Sequence, residues 1–231
     1  MRRISKRLKS INQTIDKTKI YPLNEAIELA IKTSNVKFDA SLDLAFNLNL
    51  DVKQVEQQLR GSISLPYGTG KKINILVVTD TSEVKTNALD AGADEVLSSV
   101  DLAEILSKKP TLKWDVIVVE PKMMPFLSRF GKQLGPKGLM PNPKLGTVTN
   151  NVTNTIQEIK KGKVNYRTDK TGIIHTPIGK VSMDKNHLLS NAQTIIDTIK
   201  KIKPSTVKGV YIKNLTISST MGPSFKIIIS T

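Results

Sequence analysis

The stretch SLDLAFNLNL, residues 41–50, alternates apolar and polar side chains along its whole length. Successive side chains of a β-strand point to opposite faces, so this alternation collects the apolar residues on one face. They are Leu42, Leu44, Phe46, Leu48 and Leu50. The pattern predicts a strand in a sheet that buries one face and exposes the other, as antiparallel sheets commonly do.

A different pattern occupies the middle of the chain. Residues 73–79, INILVVT, and residues 115–120, DVIVVE, are continuous apolar runs, which are typical of strands buried on both faces. Residues 95–97 add a third short strand. Helical patterns cover residues 81–91, 100–106, 121–130 and 151–161. Strands that alternate with helices predict a small parallel α/β domain.

Alternating patterns return on both sides of this middle segment. Before it, Asn24 is the predicted N-cap of a helix, and residues 61–65 form a short strand that ends at Pro66. After it, a slip in the alternation near Lys213-Asn214 predicts a β-bulge. The predicted elements of this last part are strands over residues 163–168, 172–179, 207–217 and 225–229 and an amphipathic helix over residues 184–201.

The simplest organisation of these patterns is an insertion. Residues 1–67 and 160–231 are predicted to form one discontinuous antiparallel α+β domain, and residues 68–159 the α/β domain inserted into it. The turn cluster at residues 66–70 is the expected linker. The predicted fold class is therefore a two-domain combination of α+β and α/β.

Charge supports the same division. The chain has 35 Lys and Arg residues against 20 Asp and Glu, a net charge of +15. Residues 68–159 carry a net charge of only +1, residues 1–67 carry +4, and residues 160–231 carry +10. If the two flanks fold together, they form a strongly basic body, which favours a polyanionic partner.

Composition excludes several classes of protein. The chain has no cysteine, so disulfides, thiolate metal sites and cysteine nucleophiles are excluded. No apolar run approaches the roughly 18 residues that a membrane span needs, and the basic start MRRISKRLKS lacks the apolar region of a secretory signal. We expect a cytoplasmic protein without a membrane partner.

Nucleotide and catalytic motifs are also missing. The glycine-rich stretch GKQLGPKGLMPNPKLGT, residues 131–147, does not fit the phosphate-binding P-loop, and its prolines lack the N–H groups that bind phosphate. His175 and His187 have no partner at metal-ligand spacing. Asp80 and Glu120 end two predicted parallel strands, where α/β active sites occur. They keep one alternative open, an enzyme that acts on a phosphorylated substrate and uses its basic flanks to hold nucleic acid.

The remaining class is nucleic-acid binding. Aromatic residues make up only 4% of the chain, so stacking on single-stranded bases is not expected, whereas charge, hydroxyls and glycine suit recognition of a folded RNA. Three short stretches fit: SSTMGPS at 218–224, KFDAS at 37–41 and RTDKTG at 167–172. Each also has a simpler interpretation, as a hairpin turn, a phenylalanine at the edge of the core and a solvated hairpin respectively.

Five ordered stretches resemble the bacterial family of large-subunit ribosomal protein one, which belongs to the mobile lateral stalk. They are Lys37-Phe38-Asp39, RGSISLP at residues 60–66, GPKGLMPNPK at 135–144, DKTGIIH at 169–175 and TMGPS at 220–224. The resemblance covers nearly the whole chain. One departure is Ala40, where the family usually has glutamate, and Ser41 stands where threonine is common.

The resemblance implies an RNA-binding domain built from both termini and a Rossmann-like, three-layer α/β insertion without a cofactor. It also implies a non-enzymatic monomer in the ribosome that holds a three-way junction of large-subunit RNA, moves with deacylated tRNA leaving the exit site, and represses its own operon mRNA.

The resemblance also indicates which residues contact RNA. The implied contacts are Lys37, Phe38, Ser41, Asp169, Lys170, Gly172, Ser219, Thr220, Met221 and Gly222. Secondary basic contacts are expected from Arg2, Arg3, Lys6, Arg7, Lys132, Lys137 and Lys144. The last three lie in the glycine-rich loop, for which two roles stay open: a stiff return path from the insertion, or direct phosphate contact.

Overall fold

The computed structural model describes residues 7, 9, 11, 15–16, 19–107 and 112–229. The chain divides into two compact units. The first unit comprises the described residues of Met1–Lys71 and Val164–Thr231, and the second those of Lys72–Lys163. We still predict, as from the sequence, that the first unit binds RNA and that the second is an insertion.

The described residues form a mixed α/β structure with several sheets. The strands are β1 Ile20–Tyr21, β2 Ser41–Leu48, β3 Arg60–Ser64, β4 Ile75–Val78, β5 Glu95–Leu97, β6 Val116–Val119, β7 Lys163–Arg167, β8 Ile173–Lys180, β9 Ile212–Ser219 and β10 Ser224–Ile227. The α-helices are α1 Leu23–Lys32, α2 Ser82–Asp90, α3 Ser99–Ser107, α4 Met124–Ser128, α5 Gly131–Leu134, α6 Val152–Lys160 and α7 Lys185–Lys201.

The first unit is built on a five-stranded sheet in the order β1-β10-β9-β2-β8. All neighbouring strands are antiparallel except β1 and β10, which are parallel. The alternation predicted for residues 41–50 is confirmed as far as Leu48, where β2 ends: Leu42, Leu44 and Phe46 are fully buried and the residues between them are partly exposed. Burying a side chain of this size stabilises the fold by about 1.5–3 kcal/mol.

Two helices cover the apolar face of this sheet. Helix α1 contacts β9 and β10, α7 contacts β8, and the two helices contact each other. Both helices contribute side chains to the same core as β2, and β3 and β7 pair as a small second sheet. The polar side chains of the five-stranded sheet therefore lie on its outward face.

The predicted bulge in β9 is confirmed. Asn47 pairs with Asn214 but Leu48 pairs with Ile212, which leaves Lys213 as the extra residue. The strand itself begins at Ile212, so its predicted start at residue 207 was too early. The bulge lets Ile212 and Leu215 both point into the core although they are three positions apart.

The second unit contains a three-stranded parallel sheet in the order β5-β4-β6. Within β4, Ile75 and Val77 pack into a core shared with α2 and α6, whereas Leu76 and Val78 pack into a core shared with α3 and α4. The continuous apolar run is thus explained by burial on both faces, as predicted.

Three local predictions were wrong. Helix α1 uses Pro22 as its N-cap, and the first helical bond runs from Ala26 N to Pro22 O at 3.0 Å, so Asn24 lies inside the first turn.

The second concerns the helix predicted over residues 121–130, which is interrupted. A 3-10 turn, Pro121–Met123, precedes α4, and Pro125 lies near the start of α4. Proline lacks the N–H of an interior helical bond, so it favours such a restart.

The third concerns the glycine-rich stretch, which is not loop throughout. Its first four residues form α5, and Pro143–Leu145 form another 3-10 turn that Asn142 caps, since its side chain accepts a bond from Lys144 N at 2.8 Å.

Candidate nucleic-acid interface

The ten residues predicted to contact RNA fall into two groups at opposite ends of the five-stranded sheet. We call one group the Met221 cluster; it comprises Lys37, Phe38, Ser41, Ser219, Thr220, Met221 and Gly222. The other, the Asp169 turn, comprises residues 169–172. Ser41 pairs with Lys180 at one end of β8 and Asn47 pairs with Ile173 at the other. At the usual rise of a strand this separation is about 20 Å.

Hydrogen bonds join the two halves of the Met221 cluster. The backbone N–H of Thr220 donates to Ser41 O at 2.9 Å, and the N–H of Ser41 donates to Thr220 Oγ1 at 3.1 Å. The hydroxyl of Thr220 also donates to Ser41 O at 3.2 Å. Thr220 therefore fixes the turn after β9 onto the start of β2.

Two large apolar side chains of the cluster are exposed. Phe38 is 53% exposed and Met221 is 68% exposed, so Phe38 is not a core residue at the edge of the sheet. Met221 has φ of 63°, a left-handed conformation that is uncommon for residues other than glycine. Both side chains are available to lie against a ribose or a base.

Gly222 and Ser219 are packed against each other. A Cβ atom at Gly222 would approach Ser219 Oγ closely, and Gly222 N donates to Ser219 O at 2.8 Å. Ser219 is only 4% exposed, and its hydroxyl is buried without a hydrogen-bond partner in the described structure. Ser219 is thus positioned to support the turn from below rather than to lie on its surface.

Lys180 and Asp39 complete the cluster. Neither was among the predicted contact residues, although Asp39 lies in the candidate stretch KFDAS. Lys180 Nζ donates to Ser41 Oγ at 2.9 Å and to Asp39 O at 3.3 Å. The carboxylate of Asp39 accepts bonds from Ser182 N at 3.2 Å and from Ser182 Oγ at 2.8 Å. These bonds fix the segment that carries Lys37 and Phe38. Lys180 ends β8, one residue beyond the strand predicted over residues 172–179, and its partner could not be known without the register.

The Asp169 turn is organised by its own carboxylate. Asp169 Oδ1 accepts bonds from Ile173 N and Thr171 N, both at 2.8 Å, and from the Thr171 hydroxyl. Gly172 has φ of 80°, and its carbonyl accepts a bond from Leu48 N at 3.2 Å, which ties the turn to the end of β2. Lys170 is exposed at the tip.

The pKa of Asp169 is lowered, chiefly by the hydrogen bond from Ile173 N, against the raising effect of desolvation. We expect Asp169→Ala to lower the free energy of unfolding by about 1 kcal/mol at pH 6. Because the folded-state pKa lies below the unfolded value of about 3.9, this stability is present above that value and is lost as pH falls through the folded pKa.

Thermal unfolding of both proteins at pH 6 and pH 2.5 or below measures the effect. The difference between wild type and Asp169→Ala should be smaller at the lower pH. Asp197→Ala, which removes an exposed carboxylate from α7, is the control, and a pH-independent loss in Asp169→Ala would contradict the expectation.

The outward face of the sheet lies between the two groups. His175 and Lys226 are exposed on it, and Asp43 is partly buried there. Burial raises the pKa of Asp43, although the charges of His175 and Lys180 lower it. The face offers hydroxyl, amide and imidazole groups, which are suited to phosphate and ribose contacts.

The secondary basic residues are placed differently. Arg2, Arg3 and Lys6 lie outside the described residues, whereas Arg7 is described and donates to two backbone carbonyls. The other three, Lys132, Lys137 and Lys144, are exposed in the second unit. Leu134 and Leu139 are buried on either side of Lys137 and hold its turn in place.

The carboxylates that favoured an enzyme have structural partners. Asp80 accepts bonds from Ser99 N at 2.8 Å and from the Ser99 hydroxyl at 3.0 Å, at the start of α3. Glu120 accepts a bond from the Thr79 hydroxyl at 3.0 Å. Among the described residues, no three His, Asp or Glu side chains come together as metal ligands, and none of the helices has the length and apolar character to cross a bilayer.

Known proteins resemble this chain closely. Large ribosomal subunit protein uL1 of Mycoplasmopsis pulmonis is 59% identical over 227 residues, which cover 98% of this chain and 99% of the relative. The protein of the same name from Mycoplasma mobile is 57% identical over 98% of this chain and 97% of its own. That of Metamycoplasma arthritidis is 54% identical over 98% of both.

A sequence model of the ribosomal protein L1p/L10e family matches residues 30–223, most of the chain. The resemblance drawn from the five short stretches is confirmed by these matches, and the relatives are ribosomal proteins rather than enzymes. The chain belongs to the ribosomal protein L1p/L10e family.

Proposed function

We propose that this protein is a structural constituent of the large ribosomal subunit and that its first unit binds ribosomal RNA. The observation that carries the proposal is the placement of the Met221 cluster and the Asp169 turn at the two ends of one polar sheet face. Residues about 20 Å apart can be contacted together by a folded RNA but not by a single base. Recognition through hydroxyls and backbone suits the shape and 2′-OH readout of folded RNA.

Charge supports this assignment. Divided at the boundaries of the two units, the first contains 22 Lys and Arg against 10 Asp and Glu, a net charge of +12. The second contains 13 against 10, a net charge of +3. The contrast is smaller than the sequence division predicted because Lys160, Lys161 and Lys163 fall in the second unit, whereas only Lys71 moves to the first. The excess still favours RNA binding by the first unit.

Within the site, we assign direct contact to Lys37, Phe38, Ser41, Lys170, Thr220 and Met221, whose side chains are exposed or partly exposed. Asp169, Gly172, Ser219 and Gly222 shape the two turns. The second unit, a Rossmann-like insertion of three layers that needs no cofactor in this function, offers Lys132, Lys137 and Lys144 to RNA or tRNA phosphates.

The family resemblance supports finer roles. The protein acts as a monomer at the cytoplasmic ribosome, holds a three-way junction of the large-subunit RNA, and moves with deacylated tRNA that leaves the exit site. The free protein represses its own operon mRNA through a similar RNA structure. Competition between the rRNA fragment and the mRNA leader for the purified protein tests this last role, which fails if the leader does not compete.

Removing the second unit tests the main proposal. Residues 72–163 are replaced with a short flexible linker, and binding to a three-way-junction fragment of large-subunit rRNA is measured over a series of salt concentrations. We expect the remaining unit to keep most of the affinity and the salt dependence of the full chain, because the contacts and most of the excess charge lie within it. Circular dichroism confirms that the shortened protein is folded.

A duplex RNA of equal length is the control for specificity. A folded but non-binding first unit would show that the interface lies elsewhere. Equal affinity for the junction and the duplex would show that the site reads only charge.

A further inference from the structure

Arg7 connects the two loops that carry the exposed apolar side chains of the Met221 cluster. Its Nη1 donates to Asn35 O at 3.0 Å and its Nη2 donates to Met221 O at 2.7 Å. Asn35 lies shortly before Lys37 and Phe38, and Met221 is the tip of the turn after β9. A planar guanidinium can reach two carbonyls in a fixed geometry, which a lysine ammonium cannot do equally well.

The Met221 turn needs such support. Met221 adopts a left-handed φ of 63° while its side chain is 68% exposed, so packing of the side chain does not hold it there. A non-glycine residue keeps this conformation only where its surroundings enforce it. Thr220, the residue before Met221, is hydrogen-bonded to Ser41. The bond from Arg7 fixes the carbonyl of Met221 itself.

We propose that Arg7 is a positioning residue for RNA recognition: it holds Met221 and the segment before Phe38 in the arrangement that the RNA meets. This differs from the phosphate contact expected from its position in the basic N-terminal stretch. The inference rests on the proposed RNA-binding function of the first unit, but it also makes a claim about the free protein.

The two roles have different consequences for binding. A residue that neutralises a phosphate contributes to affinity for every RNA. Its loss reduces the slope of log K against the logarithm of salt concentration by about one. A positioning residue contributes through the shape of the site. Its loss therefore weakens binding to the specific junction, leaves binding to duplex RNA nearly unchanged and leaves the salt dependence unchanged.

The first test uses the protein without RNA. The methyl group of Met221, one of six methionines, is observed by NMR in the wild type and in Arg7→Ala, Arg7→Lys and Lys9→Ala. Lys9 is exposed in the same stretch, so Lys9→Ala matches the change of charge. We expect the Met221 methyl resonance to shift and its mobility to rise in Arg7→Ala, to change less in Arg7→Lys, and to stay unchanged in Lys9→Ala.

The second test measures affinity for the rRNA junction and for duplex RNA at several salt concentrations. We expect Arg7→Ala to weaken junction binding by about ten- to a hundredfold, as the loss of charge-assisted hydrogen bonds does, with partial recovery in Arg7→Lys. Lys9→Ala should affect both RNAs alike.

The outcomes separate the inference from the function on which it rests. An unchanged Met221 methyl in Arg7→Ala, or equal losses on both RNAs with a reduced salt dependence, overturns the positioning role. A wild type that binds junction and duplex equally overturns the proposed site, whatever Arg7 does. If Arg7→Ala does not fold, Arg7→Lys decides, since it keeps the charge and removes the bidentate geometry.

Discussion

Replacing Gly222 with alanine is expected to weaken binding to large-subunit rRNA by about ten- to a hundredfold, the range that overpacking of a tight site produces. The added Cβ would overlap Ser219 Oγ and would lie 3.2 Å from Ser219 O. Ser219 is 4% exposed, so its hydroxyl has little room to rotate away from the added atom, and Ser219 O is a backbone atom that moves only with the turn. The displaced turn carries Thr220 and Met221, which we assign to direct RNA contact.

A second substitution makes this prediction specific. Ser219→Ala removes the atom that would collide, and because Ser219 Oγ has no hydrogen-bond partner in the described structure, its loss should cost little. The double variant, Ser219→Ala with Gly222→Ala, is therefore expected to regain most of the affinity. Gly131→Ala is the matched control, since nothing lies within 4 Å of a Cβ atom at that position.

Filter binding or fluorescence anisotropy at one salt concentration measures all four proteins. Wild-type affinity in Gly222→Ala would contradict the close packing of the turn. If Ser219→Ala alone loses as much affinity as Gly222→Ala, the Ser219 hydroxyl contacts the RNA directly and its assignment as a support is wrong.

Periodicity predicted the parts of the fold whose environment is uniform along an element. Strand β2 alternates because one face is core and the other is solvent, and β4 is apolar throughout because both of its faces are packed. The bulge at Lys213 was readable because it breaks the same alternation. The start of α1 and the break before α4 were not, since both depend on how proline shapes the local backbone.

The candidate site could be predicted only as separate stretches. Residues such as Asp169 and Gly172 predict a turn, because aspartate and glycine favour turn conformations. The distance between that turn and Met221, however, depends on strand register. A shift of one residue would exchange the faces of a strand, and the sequence alone does not set the pairing of Ser41 with Lys180. Lys180, Asp39 and the role of Arg7 were missed for this reason, because each acts across strands or loops that are distant in the chain.

Asn191 is another residue whose role depends on segments distant in the chain. Its replacement is expected to destabilise the first unit strongly. It lies on α7 among Leu188, Ala192 and Ile195, so the helical pattern alone does not identify its role. In the structure it is fully buried: its Nδ2 donates to Gly68 O at 2.8 Å and to Ile178 O at 2.9 Å, and its Oδ1 accepts from Tyr67 N at 3.2 Å. One side chain thus satisfies three backbone groups from two other segments.

We expect Asn191→Ala to lower the free energy of unfolding of the first unit by about 2–4 kcal/mol, because it leaves three backbone polar groups without this partner and opens a small cavity. Gln193→Ala, which removes an exposed amide from the same helix, is the control and should change little. Urea unfolding followed by circular dichroism measures both variants.

The single tryptophan, Trp114, lies in the second unit, so its fluorescence gives an internal reference in the same experiment. The loss in Asn191→Ala should appear in the circular dichroism transition of the first unit, while the Trp114 transition keeps its midpoint. A shift confined to the Trp114 transition, or equal stabilities of Asn191→Ala and Gln193→Ala, would mean that these three hydrogen bonds do not hold residues 67–68 and β8 against α7.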